Sequence, residues 1–174
     1  MSTTTLQSLT AYADELEAAA ASALADTIGG AIDHSGLVAG SPSFECERLS
    51  VEVRTLGDAA LSSLSPLGAG SRHIGGAVDL IGFRITVVRD CVATIGENGE
   101  FPTIAEERAD AIRVHEDVWA IWTRIRTLIN RGEIFGGRCK KLFFDGARAL
   151  PIEGGTAGWE IDFRVNIPGF ANAS

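Results

Sequence analysis

Trp159-Glu160-Ile161-Asp162-Phe163-Arg164-Val165-Asn166-Ile167 alternates apolar and polar side chains without a break. Trp159, Ile161, Phe163, Val165 and Ile167 line one face of a strand, and Glu160, Asp162, Arg164 and Asn166 the other. Period 2 over such a length predicts a sheet with one face on a core and the other wet or facing a partner.

Two further segments share this period. Within Cys46–Leu56, Leu49, Val51, Val53 and Thr55 point one way, and Arg48, Ser50, Glu52 and Arg54 the other. Across Ala77–Ala93, Ile81, Phe83, Ile85 and Val87 form the apolar face, with Arg84 and Thr86 opposite. Arg138–Phe144 reads as another strand, followed by a turn beginning at Asp145-Gly146, although Ala147–Ile152 also has an extended pattern. The glycines of 154–158 lead into the final strand, and Gly96-Glu97-Asn98-Gly99 turns the chain after the long one.

Helices alternate with these strands. Leu6, Leu9, Ala13, Leu16, Ala20, Leu24 and Ile28 recur every three or four residues, predicting an amphipathic helix over Thr5–Ile28. Threonines are available to cap it, and Gly29-Gly30 to end it. Gly36–Ser43 reads as a connector. Thr103 and Glu106 fit a capping box after Pro102. From there Ile104, Ala111, Val114, Val118, Ile121, Trp122, Ile125, Leu128 and Ile129 make one apolar arc, ending near Asn130-Arg131-Gly132. Arg113, Asp117 and Arg124 fall outside that arc. The arc is too wide to leave in water, so this helix must lie on the sheet. The expected fold is α+β: one domain over residues 1–174, a small, mostly antiparallel sheet, and two main helices packed on it.

Gly57–Gly76 is rich in Gly and Ser, contains Pro66, and has little periodicity. Its length exceeds that of a hairpin loop, so it reads as an arm that orders against a partner. The net charge of −8 is unevenly spread. Asp14, Glu15, Glu17, Asp26, Asp33, Glu45 and Glu47 are acidic within residues 1–47, where no Lys or Arg occurs. Bases gather in Arg131–Arg148. Such polarity suits head-to-tail contact between copies, and 45% apolar residues is rich for a monomer. The acidity argues against gripping nucleic acid by its phosphates. No apolar run approaches the ~18 residues of a transmembrane helix, and Met1–Thr5 lacks the pattern of a signal peptide.

The chemistry-bearing residues form no recognisable constellation. His34, His73 and His115 lack the paired spacing of metal ligands. Gly68-Ala69-Gly70 lacks the third glycine of a dinucleotide motif, and no phosphate-binding loop with its lysine occurs. Asp33-His34-Ser35 holds the letters of a triad, but adjacent residues rarely converge as one. Cys46, Cys91 and Cys139 are an odd, widely spaced set and read as packed thiols in a reducing compartment. Catalytic, metal and cofactor residues are therefore all read as none. The contrasting class, a small enzyme or ligand-binding domain, would use His73, His115 and the arm as a lid.

Short motifs add a resemblance. Arg89-Asp90-Cys91-Val92, the Gly99–Pro102 turn and a helix carrying Glu116-Asp117 resemble parts of tail terminator proteins. These are neck proteins of long-tailed, siphovirus-like bacteriophages of actinobacteria. Phe44-Glu45-Cys46-Glu47-Arg48-Leu49 resembles the start of their first strand, and Gly154-Gly155-Thr156-Ala157-Gly158-Trp159 their glycine-rich lead into the last. The likeness spans residues 44–167.

It implies a virion structural protein that assembles with itself into a ring, commonly a hexamer. The ring would cap the tail tube protein and join it to a head-side connector or stopper protein, with DNA passing through its lumen without specific binding. A related alternative is another neck protein, for head closure or as a connector. In such a ring Arg138, Lys140 and Lys141 are expected to meet acids of a neighbour, with Glu15 and Glu17 as candidates. Pro66, Arg72 and His73 on the arm would make inter-ring or inter-subunit contacts.

Overall fold

The computed structural model describes residues 3–38, 47–57, 80–90, 99–150 and 156–167, and of residues 3–8 the backbone alone. Helix α1 (Thr3–Ala25) leads through a turn into the short strand β1 (Ser35–Leu37). Strands β2 (Arg48–Gly57) and β3 (Leu80–Asp90) follow, then helix α2 (Ile104–Arg131). The chain closes with β4 (Lys141–Ala149) and β5 (Thr156–Asn166). The fold is α+β. One sheet of order β1-β2-β3-β5-β4 carries both helices on the same face.

The final strand behaves as its alternation dictates. β5 lies between β3 and β4, antiparallel to both, and Ile161, Phe163, Val165 and Ile167 are buried. In β3, Ile81, Phe83, Ile85 and Val87 bury the same face, as do Leu49 and Val51 in β2. Leu16 and Leu24 of α1 and Ile121 and Ile125 of α2 close this core from above. Buried Ala13, Ala19, Ala20 and Ala23 keep α1 slim enough to seat close to its neighbours.

The start of α2 is the predicted capping box. Thr103 Oγ1 accepts from the Glu106 amide at 3.3 Å, and Glu106 Oε2 accepts from the Thr103 amide at 2.8 Å. At the other end Gly132 adopts the left-handed conformation that closes a helix.

Five expectations need correction. Helix α1 stops at Ala25, before Gly29-Gly30. Its last turn is closed by Thr27, whose hydroxyl donates to Leu24 O at 2.8 Å. Part of the expected connector is strand: Ser35–Leu37 pairs in parallel with Leu49–Val51, which makes the sheet mixed. A bulge between Val53 and Thr55 shifts the register, so Thr55 sits opposite Gly82 on the wet side rather than with Val53. Asp145-Gly146 is also a bulge, not a turn, and β4 runs on to Ala149.

The largest correction concerns α2. Its buried stripe is Asp110, Val114, Asp117, Ile121 and Ile125, whereas Ile104 is 84% exposed and Ala111 is also exposed. The helix is rotated so that a carboxylate, Asp117, faces inward. Cys46, Cys91, the Gly57–Gly76 arm beyond Gly57, and Gly154-Gly155 lie outside the described residues.

Candidate functional site

Arg89 continues the inward parity of Ile81, Phe83, Ile85 and Val87, so β3 drives a guanidinium under the helices. Both Arg89 and Asp117 are fully buried, and Arg89 Nε donates to Asp117 Oδ2 at 2.8 Å. The guanidinium also donates to Gly29 O at 3.0 Å and Gly30 O at 2.7 Å. Asp117 Oδ1 accepts from the Thr27 hydroxyl at 2.7 Å. One buried pair thus ties the turn after α1, the end of β3 and the middle of α2. Glu47 adds a second carboxylate 3.6 Å from Arg89, and Arg113 of α2 donates to the Asp90 carbonyl.

Gly29 is required here. A β-carbon on it would sit 2.8 Å from the Arg89 guanidinium carbon.

Burying such charges costs several kcal/mol per ion unless geometry and hydrogen bonds offset it. Here they do, and the pair fixes which way α2 is turned. Arg89 and Asp117 are saturated by protein partners, so this cluster is a lock rather than a reaction centre. Sequence reading missed it, although the signal was present. Arg89 shares the parity of the core face, and Asp117 lies four residues before Ile121 and three after Val114.

The opposite face of the sheet is charged, and its arginines and acids pair with one another. Arg84 holds Asp162 through two bonds of 2.8 Å, and donates to Glu160 at 3.2 Å. Glu160 also accepts from Arg148 at 2.5 Å and is buried despite lying on this face. The hydrogen bond from Arg84 holds the Asp162 carboxyl below the usual carboxylate range. Arg164 pairs with Asp145 through bonds of 2.7 and 2.8 Å.

The residues expected at an interface fall in different places. Glu15 is engaged within its own protomer: its Oε2 accepts from the Phe135 amide at 2.5 Å. That bond anchors a short 3-10 turn, Phe135–Gly137, where Phe135 takes φ 57°. A left-handed phenylalanine is strained, and complete burial against Tyr12 and Phe83, at ring distances of 5.4 and 6.1 Å, offsets the strain. Glu17 accepts from the Ser35 hydroxyl at 2.5 Å, which places it on the flank of α1 beside β1. Arg138, Lys140 and Lys141 are exposed around the start of β4. Pro66, Arg72 and His73 lie outside the described residues.

Apolar side chains remain uncovered along α2 and β4. Trp119 is 71% exposed and Phe144 50% exposed, and Phe144 packs on Trp122 with ring centroids 4.6 Å apart. A cleft of about 570 Å³ opens nearby between α2 and the β4–β5 ends, lined by Asp110, Val114, His115, Leu150 and Trp159 among others. The His115 ring rests 5.2 Å from that of Trp159. Cys139 donates to Lys141 O at 3.4 Å, and burial pushes its thiol pKa up, away from the reactive thiolate. Among the described residues, no helix is long and apolar enough to cross a membrane.

The sequence matches no protein-family model and no curated protein.

Proposed function

We propose that this chain is a virion structural protein of the tail terminator kind, working by self-assembly into a ring. The ring caps the tail tube and presents its other rim to a head-side connector. The observation that carries this reading is how the protein spends its side chains. The charges of its Arg89–Asp117 and Arg84–Asp162–Glu160 clusters satisfy one another, while Trp119, Phe144 and Leu37, exposed by 43% or more, are among the large apolar side chains left for contact. Exposed aromatics beside a sheet edge are what an assembling surface needs. The short motifs that resemble tail terminators supply the particular assembly, and the α+β layout agrees with it.

Light scattering over a concentration series, with electron microscopy of large species, tests the proposal. The expected result is a closed ring with an open centre, or a monomer that seats on purified tail tubes. A chain that stays monomeric and ignores tail tubes refutes it. The cleft beside His115 and Trp159 favours one second reading, a small ligand-binding domain. That reading predicts ligand-dependent melting, to which the ring protein would be indifferent.

A further inference from the structure

The two ends of the sheet are unlike, and each carries one partner of a complementary pair. At one end stands β4. Trp119, Trp122 and Arg126 recur at spacings of three and four, so they share one side of α2. The Trp122–Phe144 contact turns that side toward β4. Arg126 is exposed there, and Lys140, which shares the alternation of Leu142 and the half-exposed Phe144, is exposed just before β4. This edge is basic and aromatic.

At the other end stands β1. Glu17 reaches Ser35 of β1, and Asp14, one helical turn earlier, shares that flank and is exposed. Asp33 is exposed just before β1, and Leu37 within it is 43% exposed. No Lys or Arg occurs in residues 1–47, and the first base of the chain, Arg48, stands in β2 just before the Leu49 that pairs with Ser35, so the acids outnumber the bases at this edge. The order β1-β2-β3-β5-β4 sets the two edges on opposite sides of one protomer.

We infer that the β4–α2 edge docks a second copy of this chain by its α1–β1 edge, head to tail. Charge complementarity selects the occupant: the basic, aromatic edge meets an acidic edge with its own apolar centre at Leu37. The contact runs through side chains rather than a continued sheet, because β4 is kinked by its bulge at Phe144/Gly146 and β1 is three residues long. Unlike edges on opposite sides repeat from copy to copy and close a ring when the rotation permits. The inference deepens the self-assembly proposed above by naming its lateral contact.

Two half-exposed substitutions test it, Phe144→Asp on one edge and Leu37→Asp on the other. Each alone should raise the midpoint concentration of assembly about tenfold or more. Each variant keeps one good edge, so an equimolar mixture should form a 1:1 dimer and stop. The pair Arg126→Glu/Lys140→Glu, at exposed positions, repeats the first arm should Phe144→Asp prove unfolded by circular dichroism. Wild-type assembly should also weaken with salt.

If the variants assemble like wild type, the contact is wrong while the ring stands. If Phe144→Asp alone is monomeric, Leu37→Asp dimerises, and mixing yields nothing new, the contact is a two-fold β4–β4 pairing and the inference fails. A wild-type chain that stays monomeric at millimolar concentration also overturns the contact. Seating on tail tubes then decides the virion reading separately.

Discussion

Replacing Asp117 with alanine should be among the most damaging single changes in this protein. The substitution leaves Arg89, fully buried, holding a charge with no buried counter-ion. Two carbonyls, Gly29 O and Gly30 O, still accept from it, but Glu47 stands 3.6 Å away with its side chain 32% exposed. Removing one member of such a pair costs about 3–5 kcal/mol. The Thr27 hydroxyl, whose single hydrogen lies between Asp117 Oδ1 and Leu24 O, loses the charged acceptor and turns to Leu24 O alone. Against a total of roughly 5–15 kcal/mol, this is a large fraction of the stability. For a chain of this size it corresponds to a fall in melting temperature of roughly 6–20 °C.

Urea unfolding followed by tryptophan fluorescence is the assay. Asp117→Asn, which keeps the shape and loses the charge, should cost nearly as much as alanine. The double variant Arg89→Met/Asp117→Leu should recover most of the loss, because an apolar pair of similar volume carries no desolvation penalty. A cost below about 1 kcal/mol for Asp117→Ala would refute the reasoning, since it is far below what an unpaired buried charge demands.

Other consequences follow from particular contacts. Gly29→Ala should destabilise by about 1–3 kcal/mol through collision with the Arg89 guanidinium, and the loss should shrink in an Arg89→Met background. Glu15→Ala should lower stability by about 1.5 kcal/mol by releasing the Phe135 amide, read by urea unfolding. An assembly defect beyond that loss, at matched folding, would place the exposed Glu15 at the interface as well. Asp162 has a folded-state pKa below its ordinary 3.8, so its contribution is present above that value and lost as the pH falls through the lower folded pKa. Asp162→Asn should therefore flatten the acid limb of a stability–pH curve, and an unaltered limb would contradict the Arg84–Asp162 pairing.

Where one residue's neighbours in the chain decide its environment, the sequence was enough. The alternation of Trp159–Ile167 determined β5 and its buried face, because a strand turns successive side chains to opposite sides. The Thr103–Glu106 box determined the start of α2, since both capping bonds span three residues. The α+β layout followed from the order of such segments.

Tertiary structure decided what depends on residues far apart in the chain. The rotation of α2 was set by Arg89 reaching Asp117 across elements, an interaction that no helical periodicity contains. The bulges at Val53/Thr55 and Phe144/Gly146 are register adjustments that exist only between paired strands. Glu15 is a surface acid in both readings, but its bond to the Phe135 amide exists only because the turn at Phe135 folds back onto α1. The separation of an acidic edge at β1 from a basic, aromatic edge at β4 needed the strand order itself. Composition showed that the charges were unevenly spread, and only the order of the sheet placed them on opposite sides of the molecule.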